Sequence, residues 1–266
     1  MSLPSPTPHA RVLITGASSG IGEALAESFA RRGHSLILVA RREDRLRDLA
    51  CRLRDTHVVE ADVIACDLAD DQDRARLLAR LDTVDISAAC LNAGFATYGS
   101  ILELDPERER EEVVLNAVAV HDLGLALLPA MVARGRGGIL VTGSTAGNQP
   151  GPNNATYAAT KAFANTFAES LHGELVGTGV ACTLLAPGPV RTEFAAVSDL
   201  GALEQRLPSI AWVTAERAAE AAVRGLESGR RRVVPGAIAK LQDFGGMHTP
   251  RSILNPMLRR VYGDLR

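Results

Sequence analysis

The stretch TYAATKAF, Thr156 to Phe163, sets a tyrosine and a lysine four residues apart in an alanine-rich run that reads as helix. Residues i and i+4 share a helix face about one turn apart, so Tyr157 and Lys161 present a phenol and an ammonium side by side. A free phenol titrates near pH 10, too high to move protons at neutrality. An ammonium about 4 Å away, at an effective dielectric of about 20, favours the phenolate by roughly 4 kcal/mol. That brings the phenol toward pH 7, where a general acid–base works best. The lysine stands out, because the chain has 29 Lys plus Arg and only Lys161 and Lys240 are lysines. A compact ammonium suits a place beside a phenol that a planar guanidinium fits less well. In isolation the pair also fits a half-buried aromatic and a surface lysine, so its partners decide.

One partner is Ser144, in VTGSTAG, whose hydroxyl could hold a developing oxyanion. Another is the loop TGASSGIG, with Gly16, Gly20 and Gly22 around Ser18, Ser19 and Ile21. Its spacing is G-x-x-x-G-x-G, which is neither the G-x-G-x-x-G fingerprint nor a phosphate loop ending in G-K-[ST]. Glycines still let the backbone turn tightly and approach an anion, and the helix that follows offers unpaired N–H groups with a partial positive charge. The next strand ends in Arg41 and Arg42, where a cofactor lacking a 2′-phosphate usually meets an acid that holds its ribose. Guanidinium groups there pair with a 2′-phosphate, so NADP(H) is the preferred cofactor and NAD(H) the alternative. Asp67, beside Leu68, can accept a hydrogen bond from an adenine amino group. Asn92, Ala93 and Gly94 end a strand with side chains short enough for a cofactor to lie against the backbone.

These residues need a frame, and the chain supplies a rhythm of short apolar strand and amphipathic helix. RVLIT, SLILVA, a run within HVVEADVIACD, DISAACLNAG, GGILVTGS and VACTLLAPG read as strands, and RRVVPG as a short seventh. Helices are expected at 21–32, 43–54, 71–81, 106–134, 157–176 and 215–227, the last capped by Thr214. Near-continuous apolar strands alternating with helices give a parallel sheet covered on both faces, here a doubly wound Rossmann-type α/β fold of about seven strands. No composition break divides the chain. Residues 1–10, rich in Pro and Ser, read as a disordered lead-in. Residues 11–266 read as one domain, with irregular additions at 189–213, a substrate lid, and at 237–266, a C-terminal extension.

Composition narrows the function. A formal charge of −2 gives no basic field for nucleic acid. The amino terminus lacks the basic and apolar regions of a signal peptide, and no uninterrupted apolar run reaches the length of a membrane span. A soluble cytoplasmic protein without integral membrane association is the expectation. Four scattered cysteines, Cys51, Cys66, Cys90 and Cys182, and six histidines without ligand spacing argue against a disulfide framework or a metal site.

Together the motifs resemble the short-chain dehydrogenase/reductase family in its short single-domain form. The resemblance rests on TGASSGIG, CDL with Asp67, LNAG from Leu91, Asn116 in VVLNAV, Ser144, YAATK, and PGPVRTEF from Pro187, in order over residues 11 to 194. The one departure is LNAG where many members read NNAG. The resemblance implies a catalytic set of Asn116, Ser144, Tyr157 and Lys161. Asn116 would anchor a proton-relay water, and Lys161 would also hold the nicotinamide ribose. Pro187, Gly188, Val190 and Thr192 would line the nicotinamide. It implies interconversion of a carbonyl and an alcohol with hydride from the cofactor, and a homodimer or homotetramer formed through the helices of 106–134 and 155–176.

The partner is then a small-molecule carbonyl or alcohol. Phe95–Ser100, Gly147–Asn154 and Val190–Trp212 should select it, and the last is apolar through Phe194, Leu200, Leu203, Leu207, Ile210 and Trp212. Such a lid suits a hydrophobic ketone or aldehyde, while the same residues also suit simple packing or a subunit contact. The tail from Lys240 could meet a neighbouring subunit, cover the site mouth or touch an anionic membrane, a subunit role being the first expectation. The alternative function is a non-catalytic NADP(H)-sensing or scaffold protein on the same fold. In that class the tyrosine or lysine is usually lost, and here both are present.

Overall fold

Glycine turns and five- or six-residue apolar runs generate the framework of this computed structural model, which describes residues 3–194, 198 and 209–263. The first half runs β1 (Arg11–Thr15), α1 (Gly20–Ala30), β2 (Ser35–Ala40), α2 (Glu43–His57), β3 (Ala61–Ala65), α3 (Asp71–Leu81) and β4 (Ile86–Leu91). The second half runs α4 (Pro106–Val113), a π-helical turn (Val114–Val118), α5 (Ala119–Ala133), β5 (Gly137–Thr142), α6 (Ala155–Glu174) and β6 (Val180–Leu185). After them come β7 (Val190–Arg191), β8 (Val213–Thr214), α7 (Ala215–Glu227), β9 (Arg232–Val233), α8 (Ala237–His248) and α9 (Arg251–Gly263).

Seven strands form one parallel sheet in the order β3-β2-β1-β4-β5-β6-β9, as the strand–helix rhythm implies. Alternation along the strands splits the core in two. Val12, Ile14, Leu36 and Leu38 meet α1, α2 and α7 on one face, while Leu13, Ile37 and Val39 meet α3, α5 and α6 on the other. Strand order reverses between β1 and β4, so the connections leaving their carboxyl ends run to opposite faces and leave a crevice there.

Sequence and structure part in several places. Residues 3–10 carry no helix or strand, yet the expected disordered lead-in is tied down at Leu3, which packs against the core near Gly138. β7 and β8 pair as a separate two-stranded sheet that brackets the segment 192–212. Leu200, Leu203 and Leu207 lie outside the described residues. The expected irregular extension beyond 236 is a pair of helices. The Gly245–Gly246 pair and Pro256 lower its intrinsic helix propensity, but tertiary packing overrides this. Ala239, Asp243 and Gly246, at i, i+4 and i+7, face inward from α8, as Leu254 and Leu258 do from α9. A buried ion pair between Arg232 and Asp243 ties α8 to β9.

The run Pro106–Ala133 is long and apolar enough to cross a membrane by length and composition. Here its apolar residues cover the sheet: Val120, Leu123, Leu127 and Met131 are buried in the second core cluster.

On the opposite side Arg32 staples α1 to α7. Its guanidinium donates to Glu220 at 2.8 Å and Glu227 at 2.7 Å, and Ser28 Oγ donates to Glu220 at 2.9 Å. The Arg32 hydrogen bond, with lesser help from Ser28 and Arg224, holds the Glu220 carboxyl down at about 2 against an ordinary 4.5. A carboxyl whose value is depressed on folding stabilises the fold above its unfolded value and stops doing so as pH falls through the folded one. Glu220→Gln is therefore expected to lower the urea midpoint at pH 7 and to flatten the loss of stability between about pH 4.5 and 2. An unchanged acid limb would show that the staple carries no such linkage.

Candidate active site

The ends of three central strands are laced together where the crevice opens. Thr15 Oγ1, at the end of β1, donates to the Cys90 carbonyl and accepts from the backbone N–H of Asn92 at 2.9 Å and of Ala93 at 3.1 Å. Asn92 returns a hydrogen bond to the Thr15 carbonyl, and Thr142 Oγ1 of β5 donates to Asn92 Oδ1 at 3.1 Å. Short polar side chains at strand ends thus satisfy backbone groups that the sheet no longer pairs.

The glycine loop springs from this lace. Gly16 and Gly20 have φ of +67° and +58°, left-handed conformations that favour glycine. A Cβ on Gly22 would overlap the Gly16 carbonyl, so the helix start presses directly on the turn. Ser19 is the N-cap of α1, but its side chain makes no cap bond to the helix and accepts from Arg42 at 2.8 Å instead. The first N–H groups of α1 are left without a side-chain cap, the arrangement that receives a phosphate. Arg42 donates further to Ser18 Oγ and pairs with Glu193 at 3.0 Å. Arg41 lies 3.1 Å from Glu111 and 3.8 Å from Asp67, whose other oxygen accepts from the Ala69 N–H. Leu68 is fixed through Arg74, which bonds its carbonyl at 2.8 Å and anchors to Asp122 and Asp71.

Tyr157 and Lys161 stand one turn apart on α6, with Lys161 Nζ 5.7 Å from the centroid of the tyrosine ring. The lysine is buried and donates to the Thr142 carbonyl at 2.9 Å. Burial pulls its pKa down to about 8, and the negative charge of Glu112 opposes that pull. Asn116 sits in the π turn and is buried: Nδ2 donates to the Phe95 carbonyl at 2.8 Å and to Thr160 Oγ1 at 3.1 Å, while Oδ1 accepts from the Phe95 N–H. A Cβ on Gly94 would come within 2.7 Å of Asn116 Oδ1 and 3.4 Å of Lys161 Nζ, so the bare glycine lets the three meet. Ser144 Oγ accepts from the Ala146 N–H and makes a long 3.4 Å bond to the Pro187 carbonyl.

One cleft of about 850 Å³ gathers these groups. Ser144, Tyr157, Lys161 and the expected cofactor-binding positions line it, except Gly22, which with Asn116 stands behind the surface. Pro187, Gly188, Val190 and Thr192 form the wall facing the glycine loop, and Phe194 leans on the Tyr157 ring with centroids 5.8 Å apart. The far wall comes from the tail: Leu241, Gln242, Gly246, Leu254, Met257 and Leu258 line the cleft.

Two buried polar residues escaped the sequence reading. Asn165 clamps Ser144, accepting from its N–H at 3.2 Å and donating to its carbonyl at 2.9 Å. The spacing Tyr157, Lys161, Asn165 is a run of i+4 steps, a signal that one helix face serves the whole site. Glu112 is fully buried one turn before Asn116, and nothing in the acidic run of α4 distinguishes it from its solvated neighbours.

The family model for short chain dehydrogenases matches residues 10–201, and the chain belongs to the short-chain dehydrogenase/reductase family. A sulfoacetaldehyde reductase of Chromohalobacter salexigens is 36% identical over 204 residues, covering 71% of this chain and 76% of the relative. The NADP-dependent 3-hydroxy acid dehydrogenase YdfG of Escherichia coli is 34% identical over 220 residues, covering 79% and 86%. Among solved structures, a short-chain dehydrogenase from Sphingobium yanoikuyae in complex with NADPH superimposes with a TM-score of 0.81 at 32% identity, covering 97% and 96%. The bulky-bulky ketone specific alcohol dehydrogenase from Comamonas testosteroni gives 0.77 at 30%, covering 97% and 94%. The chain is an oxidoreductase acting on CH–OH and C=O groups.

Asn165→Ala would leave the Ser144 N–H unpartnered in a buried position and its carbonyl with the Gly147 N–H alone. The expected cost is about 1–3 kcal/mol in urea denaturation, because a buried N–H loses its partner. A neutral substitution would show that water replaces the clamp.

Proposed function

We propose that this chain is an NADP(H)-dependent carbonyl reductase and alcohol dehydrogenase for an apolar ketone, aldehyde or secondary alcohol, with Tyr157 as general acid–base. The observation that carries the reading is the buried Lys161 ammonium held one turn from Tyr157, lining with Ser144 the same cleft as the glycine loop. The uncapped N-terminus of α1 fits a diphosphate, and Arg42, already gathered on Ser18 and Ser19, fits a 2′-phosphate at the rim. Asp67 and Leu68 would flank the adenine, Asn92 to Gly94 the adjoining ribose, and Pro187 to Thr192 the nicotinamide. The NADPH held by the Sphingobium protein and the NADP dependence named for YdfG point the same way.

When bound, the nicotinamide supplies or accepts the hydride. The chain's own residues handle the proton and the charge. In reduction Tyr157 gives its phenolic proton to the carbonyl oxygen, and in oxidation it takes the proton back. Ser144 exchanges its long bond to Pro187 for one to the same oxygen and holds the charge that develops there. Lys161, still an ammonium at neutral pH, favours the phenolate and reaches a ribose hydroxyl. Asn116 keeps the adjoining loop in place through both edges of its amide and holds the water through which Lys161 exchanges protons.

Phe95, Tyr98, Phe194 and Trp212 join Leu241, Leu254, Met257 and Leu258 around the catalytic groups, an apolar chamber suited to a bulky hydrophobic carbonyl. Exposed Val118, Leu125 and Phe163 on the π turn, α5 and α6 support pairing of copies through those helices.

Tyr157→Phe should bind NADPH with unchanged affinity and lose roughly 10²–10⁴-fold in turnover, the usual worth of a general acid–base. A screen of ketones and aldehydes graded by size, followed through NADPH oxidation, tests both substrate and residue; near wild-type turnover by the phenylalanine variant overturns the assignment. Arg42→Ala should weaken NADPH binding about 10–100-fold, the worth of a charge-assisted contact, with little effect on NADH. Equal losses for both cofactors would remove Arg42 from the 2′-phosphate site.

A further inference from the structure

Glu112 and Asp243 are the buried acids among the described residues. Asp243 has Arg232 in contact. Among the described residues Glu112 has no cation within ion-pair distance and its Oε1 is buried without a hydrogen-bond partner, while Oε2 accepts from the Thr97 N–H at 3.0 Å and from Thr97 Oγ1 at 2.8 Å. Lys161 is its mirror image, a buried cation bonded to a neutral carbonyl. Two such charges are costly separately, and each lowers the cost of the other through a medium of low dielectric. The layout brings them to one region of the fold, since Glu112 holds Thr97 and Asn116 holds Phe95 of the same loop. Glu112 precedes Asn116 by one turn, and Asn116 Oδ1 and Lys161 Nζ flank the same bare Gly94.

We propose that Glu112 is the buried counter-charge of Lys161: across the Asn116–Gly94 gap it keeps the lysine an ammonium and thereby fixes the pH range in which Tyr157 can work. The proposal rests on the roles given above to Tyr157 and Lys161. Glu112 touches no reacting atom and is a positioning residue for charge.

The surroundings leave little else to set that charge. Lys161 faces Glu112 from α4 and Tyr157 from its own helix, with neutral Asn116 and the Thr142 carbonyl alongside. Glu112 faces Glu109 on its own helix and Lys161 across the gap; Thr97 is neutral. Glu109 is held by Thr156, and Arg108 pairs with Glu111 at 2.6 Å and covers the Phe95 ring at 3.8 Å. Burial raises Glu112 to about 7, Glu109 adds to the rise, and Lys161 opposes it. Lys161 lies at about 8, so the two are charged together in the interval between those values.

Because the chain has only two lysines, Lys161 can be watched directly. In protein labelled with 13Cε-lysine, Lys240→Arg removes the other signal. We expect the wild-type Lys161 resonance to titrate near pH 8, with a minor step near pH 7 as Glu112 ionises. In Glu112→Gln the minor step should vanish and the midpoint fall by about one pH unit, a tenfold change in the lysine's protonation constant. The alkaline limb of turnover should move the same way, since the neutral lysine leaves the phenol unassisted. Glu112→Asp keeps the charge and should hold the midpoint near wild type. An unmoved midpoint in a folded Gln variant, or a wild-type titration without the minor step, overturns the proposal, as does lost turnover with both pH markers unchanged. The NMR titration does not depend on turnover. A failed Tyr157→Phe test would therefore sink the catalytic reading while leaving the effect of Glu112 on Lys161 measured.

Discussion

A dry ammonium on a carbonyl at the end of β5 is the constraint around which this site is built. Lys161 reaches Thr142 because α6 crosses the sheet closely, and it crosses closely because glycines leave room. A Cβ on Gly147 would strike the backbone of Lys161, and one on Gly143 would overlap Asn165 Oδ1. The same closeness lets Asn165 grip Ser144 from both sides. Lysine position and serine position are therefore one packing decision, made by small residues along β5 and the turn that follows.

The π turn solves a second geometric problem. A regular helix from Pro106 to Ala133 would carry its side chains past the strand ends in even steps of 3.6 residues. One wider turn at Val114–Val118 shifts that register, so Asn116 faces the loop of Phe95 while the apolar stripe of α5 stays on the sheet. Single π turns are commonly found at functional sites for this reason. The π turn and α6 meet through Thr160, which accepts from Asn116 and donates to the Tyr157 carbonyl.

Much of this was legible because chemistry and backbone geometry repeat in local sequence. Glycines at positive φ, strand-end asparagine and threonine, and the four-residue step from Tyr157 to Lys161 each leave a short signature. The order of apolar runs does the same for the parallel sheet. What stayed hidden depends on contacts distant in the chain. Glu112 lies in PEREREEV, where every acid reads as solvated, and its burial is decided by Thr97 and the loop after β4. The helices of the tail were obscured by Gly245, Gly246 and Pro256, whose low propensity is overcome only once Asp243 meets Arg232 and Asn148. The π turn has no local mark that separates it from ordinary helix.

The Arg232–Asp243 ion pair also links the chamber wall to Ser144. Asp243 binds Asn148, Asn148 accepts from Asn165, and Asn165 holds Ser144, so a chain of polar contacts runs from the tail to the backbone of Ser144. The apolar residues of the same tail, Leu241, Leu254 and Met257, form the chamber wall. A wall built on an independent surface loop could loosen without consequence for the serine. Here the wall and the serine share one polar network, so a change in chamber shape that displaces α8 also pulls on the backbone that positions Ser144.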